Sequence, residues 1–230
     1  MLLALDTATR QSGLALFDGH QLVVELNWVS NDNQTSELAP RLAQALDWCA
    51  LQPASLSGIA VSLGPGSYTG LRVALSVAKG LALAHAIPLL GIPTLDATAY
   101  PHLGRSQPVC ASLQAGRGQV CWAIYRPLSS AGMASALPDS QRAVLGRTAY
   151  RLGSWEDLAA SLHEPTLCVG ELPAAARQQL LALAGERALL ASPAIASRRA
   201  GSLAELGWAR LQAGEADDLA SLSPIYLREP

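Results

Sequence analysis

The stretch best equipped for chemistry is Gly64-Pro65-Gly66-Ser67-Tyr68-Thr69-Gly70-Leu71-Arg72-Val73. An apolar run, Ile59 to Leu63, reads as a buried strand, and Gly64-Pro65-Gly66 is material that a strand cannot continue through. Ser67 then caps a helix. Backbone N–H groups at a helix start favour anions. Gly64, Gly66 and Ser67 are therefore candidate contacts for a nucleotide or other anion. Asp6 and Thr7, where the first strand ends, supply an acid that can order a metal or phosphate. The plainer reading is that Asp6 accepts turn N–H bonds and the glycine turn only positions its helix, and the sequence favours this for the turn. Gly70 is followed by Leu-Arg, so this is no Walker loop. Pro65 and Thr69 flank Ser67 where a nucleophile elbow needs glycines. No histidine and carboxylate are placed to activate Ser67. The counterpart of Asp6 in the second half, Gln114-Ala115-Gly116-Arg117-Gly118, offers an amide where a metal-using site wants a carboxylate. His20, His85, His102 and His163 lack metal-ligand spacing, and Cys49, Cys110, Cys121 and Cys168 read as buried free thiols.

The helix after the glycine turn is expected over Tyr68 to His85. Gly70, Ala74, Ala78 and Ala82 form a ridge with almost no side chain, Leu71, Leu75, Val77 and Leu81 are apolar, and Arg72, Ser76 and Lys79 are its polar stripe. A helix apolar nearly all round is buried on more than one side, and a small-residue ridge admits another helix closely. Part of that packing is expected from another chain, so a glutamate at Ala78 should break pairing while the monomer stays folded.

Half of the 230 residues are hydrophobic and 15% are charged; net charge is -2 and Lys79 is the only lysine. Such a chain is globular and lacks the basic footprint of a nucleic-acid binder. No membrane span is expected, and Met1 to Arg10 lacks a basic n-region, which speaks against a signal peptide.

In order, strands are expected at Leu2–Asp6, Gly13–Phe17 and Gln21–Trp28, and a helix at Ser36–Ala50 with Pro40 in its first turn. Strand Ile59–Leu63, the central helix, strand Leu89–Ile92 and a short helix Thr94–Leu103 follow. After a boundary near Pro101–Pro108 the order repeats. Strands fall at Val109–Leu113, Gln119–Tyr125 and Arg142–Gly146, after a loop at Leu128–Ser140. A helix opens on the capping box Ser154-x-x-Asp157, and strand Thr166–Gly170 and helix Pro173–Ala184 come next. A weak strand Ala188–Ala191, a helix Ser202–Leu211 and an extended tail Ser223–Arg228 close the chain. Two copies of strand-strand-strand-helix-strand-helix give the expected fold class: α/β, an actin-like ATPase (ASKHA) architecture of two tandem ribonuclease H-like lobes with mixed sheets. The lobes are expected at 1–104, carrying the dimerisation helices, and 105–230, with the tail 214–230 packing back on the first lobe.

Gly-Pro-Gly-Ser-Tyr-Thr-Gly-Leu-Arg-Val after an apolar strand resembles the signature of the bacterial TsaB (YeaZ) family. Leu3-Ala4-Leu5-Asp6-Thr7-Ala8, Thr35-Ser36-Glu37-Leu38-Ala39-Pro40, Gly91-Ile92-Pro93-Thr94-Leu95-Asp96-Ala97, Gly116-Arg117-Gly118-Gln119-Val120 and Tyr226-Leu227-Arg228 support it. The resemblance implies a cytoplasmic, non-catalytic scaffold or activator subunit in tRNA threonylcarbamoyladenosine synthesis. Its implied partners are the catalytic paralogue TsaD, the ATPase TsaE and a second copy of itself, with tRNA reached only through the complex and no membrane. The implied interface is Leu38, Leu42, Gly70, Leu71, Arg72, Ala74, Leu75, Ala78 and Ala82. No catalytic or metal residue and no cofactor are implied, beyond ATP or ADP at a complex interface. The sequence departs from the family at Gln34-Thr35 for His-Ser, Ala74 for Gly, and Gln114 for Asp. Two other readings stay open: a nucleotide-dependent phosphotransferase or glycoprotease-like hydrolase using Asp6 and the Gly64–Gly70 turn, and a homodimeric regulator with no RNA connection.

Overall fold

The computed structural model describes residues 1–126 and 147–227. Two compact units are present, Met1–Thr94 with Arg199–Pro230, and Leu95–Arg198.

The first unit is built on β1 (Leu2–Asp6), β2 (Gln11–Phe17), β3 (Leu22–Val29), β4 (Gly58–Gly64) and β5 (Leu89–Pro93), in sheet order β3-β2-β1-β4-β5. The three meander strands pair antiparallel, and β1-β4 and β4-β5 pair parallel. Every residue of β1 and β4 is buried. Their continuous apolar character, without alternation, is what a strand covered on both faces requires. On one face Leu3, Leu5, Ile59 and Val61 pack with α1 (Gln34–Trp48) and α2 (Tyr68–His85). On the other face lies the C-terminal helix Ala200–Gln212, where Gly207 rests on Ala60 and Gly58 on Leu211.

That helix belongs to the first unit although it lies far along the chain. Its own first residues carry no side-chain cap. Instead Asn27 and Glu25 of β3 accept the N–H groups of Ala200 (3.2 Å) and Gly201 (2.8 Å), and Glu25 pairs with Arg199. Orphan N–H groups at a helix start need acceptors, and here the first sheet provides them. Burial pushes the Glu25 carboxyl up, but Arg199 and the Gly201 N–H outweigh it and hold it below the usual range. The tail lies on the same unit: the Gly91 N–H donates to Asp217 (2.6 Å), Arg210 donates to Gly91 O and Asp217, and the Ile225 N–H donates to Leu63 O (2.7 Å).

The second unit repeats the plan. After α3 (Thr94–Ala99) come β6 (Val109–Gln114), β7 (Val120–Tyr125), β8 (Arg151–Gly153), α4 (Trp155–Ser161), β9 (Thr166–Gly170), α5 (Ala174–Ala184), β10 (Ala188–Leu190) and the short α6 (Pro193–Ala196), with the terminal helix as α7. Its sheet, read β8-β7-β6-β9-β10, has the strand order and polarity of the first. Cys110, Trp122, Ile124 and Cys168 on one sheet face pack with Leu158 of α4 and Leu180 of α5. Two mixed sheets of ribonuclease H-like order, each with its helices, make this the actin-like α/β fold.

Several local expectations shift. α1 begins at Gln34, which leaves Pro40 inside the helix and not in its first turn. α3 stops at Ala99, and Tyr100–His102 continue as a tighter 3-10 turn. The expected loop at Leu128–Ser140, strand at Arg142–Gly146 and last residue of the Tyr226-Leu227-Arg228 motif lie outside the described residues. The third meander strand is Arg151–Gly153, too short and too polar to stand out in the sequence.

Candidate functional site

The glycine turn is built against the end of β1. Asp6 is buried; its Oδ1 accepts the Ala8 N–H (2.9 Å) and the Ser62 hydroxyl (2.8 Å). Thr7 is also buried, and its hydroxyl donates to Gly70 O (2.6 Å) and accepts the Ala74 N–H (3.1 Å). The side chain of the residue that follows β1 is thereby inserted into the backbone ladder of α2. Only glycine fits at position 70, where a Cβ would overlap Thr7 O. Gly64 has φ of 106°, a conformation that L side chains rarely adopt, and a Cβ there would lie 2.7 Å from Ile225 O. The Ser67 N–H donates to Ala8 O (2.6 Å), and the Ser67 hydroxyl caps α2 by accepting the Gly70 N–H.

Of the candidate anion contacts, Gly66 and Ser67 therefore remain at the surface, Gly64 is buried under the tail, and Asp6 and Thr7 lie behind the turn. Among the described residues no three His, Cys, Asp or Glu side chains are grouped so as to hold a metal ion.

The residues expected at the partner interface are placed differently from the expectation. Gly70, Leu71, Ala74, Leu75, Ala78 and Ala82 are buried within the chain, as are Leu38 and Leu42 of α1; only Arg72 is exposed. The small-residue ridge is spent on the protein's own sheet, because Thr7 and β4 approach α2 more closely than a larger side chain would allow. Ala78 is thus no test position for pairing. The outward face of the same helix runs through Thr69, Arg72, Ser76, Gly80, Leu83 and Ala84, with Val73 and Val77 half-buried beside it. Leu83 is 78% exposed, and a Cβ at Gly80 would meet nothing within 4 Å. No acidic residue occurs in the helix. α1 packs beside α2 and exposes Ala39, Pro40, Ala43 and Trp48. The signal for this face was present in the sequence. Arg72 and Ser76, its polar stripe, mark the solvent side of the helix.

In the second unit, Gln114 ends β6 and Gly116-Arg117-Gly118 turn the hairpin, all three with positive φ. Asp96 of α3 accepts the Tyr125 hydroxyl (2.6 Å) and lies 3.4 Å from both Arg147 Nε and the Tyr150 hydroxyl. Burial pushes the Asp96 carboxyl up, with the hydroxyls and Arg147 opposing; burial and the nearby carboxylate push both tyrosines up. This cluster clasps residues 147–150 to the end of β7, where the Thr148 N–H also donates to Ile124 O. A depression of about 460 Å³ lies between β8 and α4, lined by Trp122, Arg151, Asp157, Ser161 and His163. Trp122 Nε1 is already bonded to the Ser161 hydroxyl. Cys110, Cys121 and Cys168 are buried free thiols; burial pushes Cys121 up to about 12.

A family model described as TsaD: tRNA N6-adenosine threonylcarbamoyltransferase matches residues 29–229. The Bacillus subtilis protein named tRNA threonylcarbamoyladenosine biosynthesis protein TsaB is 27% identical over 227 residues, which is 99% of this chain and 93% of that protein. An uncharacterised Mycobacterium tuberculosis protein is 31% identical over 235 residues, 100% of this chain and 92% of its own. Among solved structures, YeaZ from Pseudomonas aeruginosa matches in fold with a TM-score of 0.72 at 23% identity, over 98% of this chain and 99% of that one.

Proposed function

The chain belongs to the TsaB (YeaZ) branch of the TsaD family and takes part in tRNA threonylcarbamoyladenosine biosynthesis, and within that work we propose that it is a non-catalytic partner subunit. It pairs with a TsaD paralogue, and the pair is joined by the TsaE ATPase and acts on tRNA. The observation that supports this reading is the outward face of α2, an 18-residue helix that exposes Arg72, Ser76, Gly80 and Leu83, with Val73 and Val77 half-buried beside them. Tyr68 and Leu83 are large apolar side chains exposed on this helix, and apolar surface rimmed by polar residues suits a binding surface. Gly80 permits close backbone approach by a second helix. A standard interface takes about 800 Å² from each partner, and on this reading it is formed by α2 together with the exposed side of α1. The same face serves self-pairing when no paralogue is present. On this reading the Thr7 hydrogen bonds hold α2 in place, those of Asp6 to Ala8 and Ser62 fix the end of β1 behind it, and nucleotide, where it is used, is bound elsewhere in the complex.

The test is tRNA threonylcarbamoylation by purified TsaD and TsaE, with and without this chain. Modification that depends on the chain, together with no ATP turnover by the chain alone, is expected. Full modification in its absence, or ATP hydrolysis by the isolated chain that Asp6→Asn removes, overturns the proposal.

A further inference from the structure

We propose that Arg72 is a preset receptor for a carboxylate on the protein that lies against α2. The inference rests on the pairing reading and names the chemistry of its partner. Arg72 is not a loose surface arginine. Its guanidinium carbon sits 3.7 Å from the centroid of the Tyr68 ring, and its Nε donates to the Tyr226 hydroxyl at 3.2 Å. The two tyrosine rings are 5.3 Å apart with 32° between their planes. One face of the guanidinium is thereby covered and one edge is tied. Tyr226 is itself held, because the preceding residue, Ile225, donates its N–H to Leu63 O at 2.7 Å and packs on the core of the first unit.

Nη1 and Nη2 have no hydrogen-bond partner among the described residues. A planar fork of free donors fits a carboxylate or a phosphate with two parallel bonds, and stacking removes much of the ordering cost that a free arginine would meet. The surroundings favour a protein carboxylate. Arg72 adjoins the apolar stripe Val73, Val77 and Leu83, which suits a partner helix and not a phosphodiester backbone. The other cation in α2, Lys79, lies two turns further along and helps to lower the carboxyl of Asp218. A nucleic-acid footprint needs a cluster of cations, and the chain has a net charge of -2. With no acidic residue of its own, α2 is complementary to a helix that carries Asp or Glu among apolar residues. Tyrosine and arginine together are also the composition of interface hot spots.

The experiment measures the dissociation constant of the full chain with its own TsaD paralogue at low and high salt. Arg72→Glu is expected to weaken pairing about 100-fold. Arg72→Lys, which keeps the charge and loses the fork, should weaken it roughly 10-fold, and Tyr226→Phe about threefold by freeing the guanidinium edge. The melting temperatures of all three should stay within about 2 °C of wild type, because Arg72 is exposed. If the wild-type pair does not form, the pairing reading fails and this assignment with it. If the pair forms and Arg72→Glu binds within twofold of wild type, the assignment alone is overturned. It is equally overturned if Arg72→Glu leaves pairing intact but weakens tRNA binding by the complex, which would make the fork a phosphate contact.

Discussion

Two substitutions to glutamate, two residues apart on α2, separate the buried from the outward face. Ala78 is fully buried against the first sheet. Glutamate there must force a longer side chain into a packed core, about 1–3 kcal/mol, and bury an unpaired carboxylate, about 3–5 kcal/mol. The combined loss, at least about 4 kcal/mol, approaches the whole stability of an ordinary domain. In a chain of this size each kcal/mol moves Tm by about 2–4 °C, so Ala78→Glu should melt at least about 8 °C lower or fail to fold. Gly80 faces open space. Replacing an exposed helical glycine by glutamate recovers helix propensity, about 0.5 kcal/mol, so Gly80→Glu should melt at or slightly above wild type. It should nevertheless lose binding to the TsaD paralogue, because a charged side chain then stands where the partner backbone must approach. Calorimetry or circular dichroism gives the melting order, and co-purification gives the pairing. An Ala78→Glu protein with unchanged Tm, or a Gly80→Glu protein that folds and still pairs, would refute the assignment of faces.

Three other outcomes follow from particular contacts. Thr7→Val keeps shape but removes the hydroxyl between Gly70 O and the Ala74 N–H, and should cost about 1–3 kcal/mol in urea denaturation; no change would mean the insertion into α2 is incidental. Ser154→Ala removes the capping box of α4, in which Ser154 and Asp157 exchange hydrogen bonds, and should cost about 1 kcal/mol. His102 is buried, and burial first and then Arg105 hold its pKa below the ordinary 6.5. The unfolded chain therefore binds that proton more readily, so this contribution to stability is present above about pH 6.5 and is lost as pH falls below it. His102→Gln should flatten stability between about pH 6.5 and 5 relative to wild type, and an unchanged profile would remove His102 as its source.

Much of the fold is legible locally. β1, α2 and β9 lie where periodicity and punctuation put them, and Ser67 and Ser154 cap the helices their spacing announces. The order of strands and helices within each half, repeated, already specifies the sheet order that both units show. These features depend on dihedral preference and on residues a few positions apart, so the sequence alone determines them. It also determined that something must lie against Gly70, Ala74, Ala78 and Ala82. What lies there it could not say, since a small-residue ridge admits a neighbouring helix and the face of the protein's own central strands β1 and β4 equally well. Tertiary structure decided for the sheet, through the Thr7 hydroxyl, and so turned Arg72, Gly80 and Leu83 outward. It likewise assigned α7 to the first unit, because the acceptors for its first N–H groups are Glu25 and Asn27, more than a hundred residues earlier in the chain. Spacing along a chain shows which residues share a face; which face meets solvent depends on groups that only folding brings near.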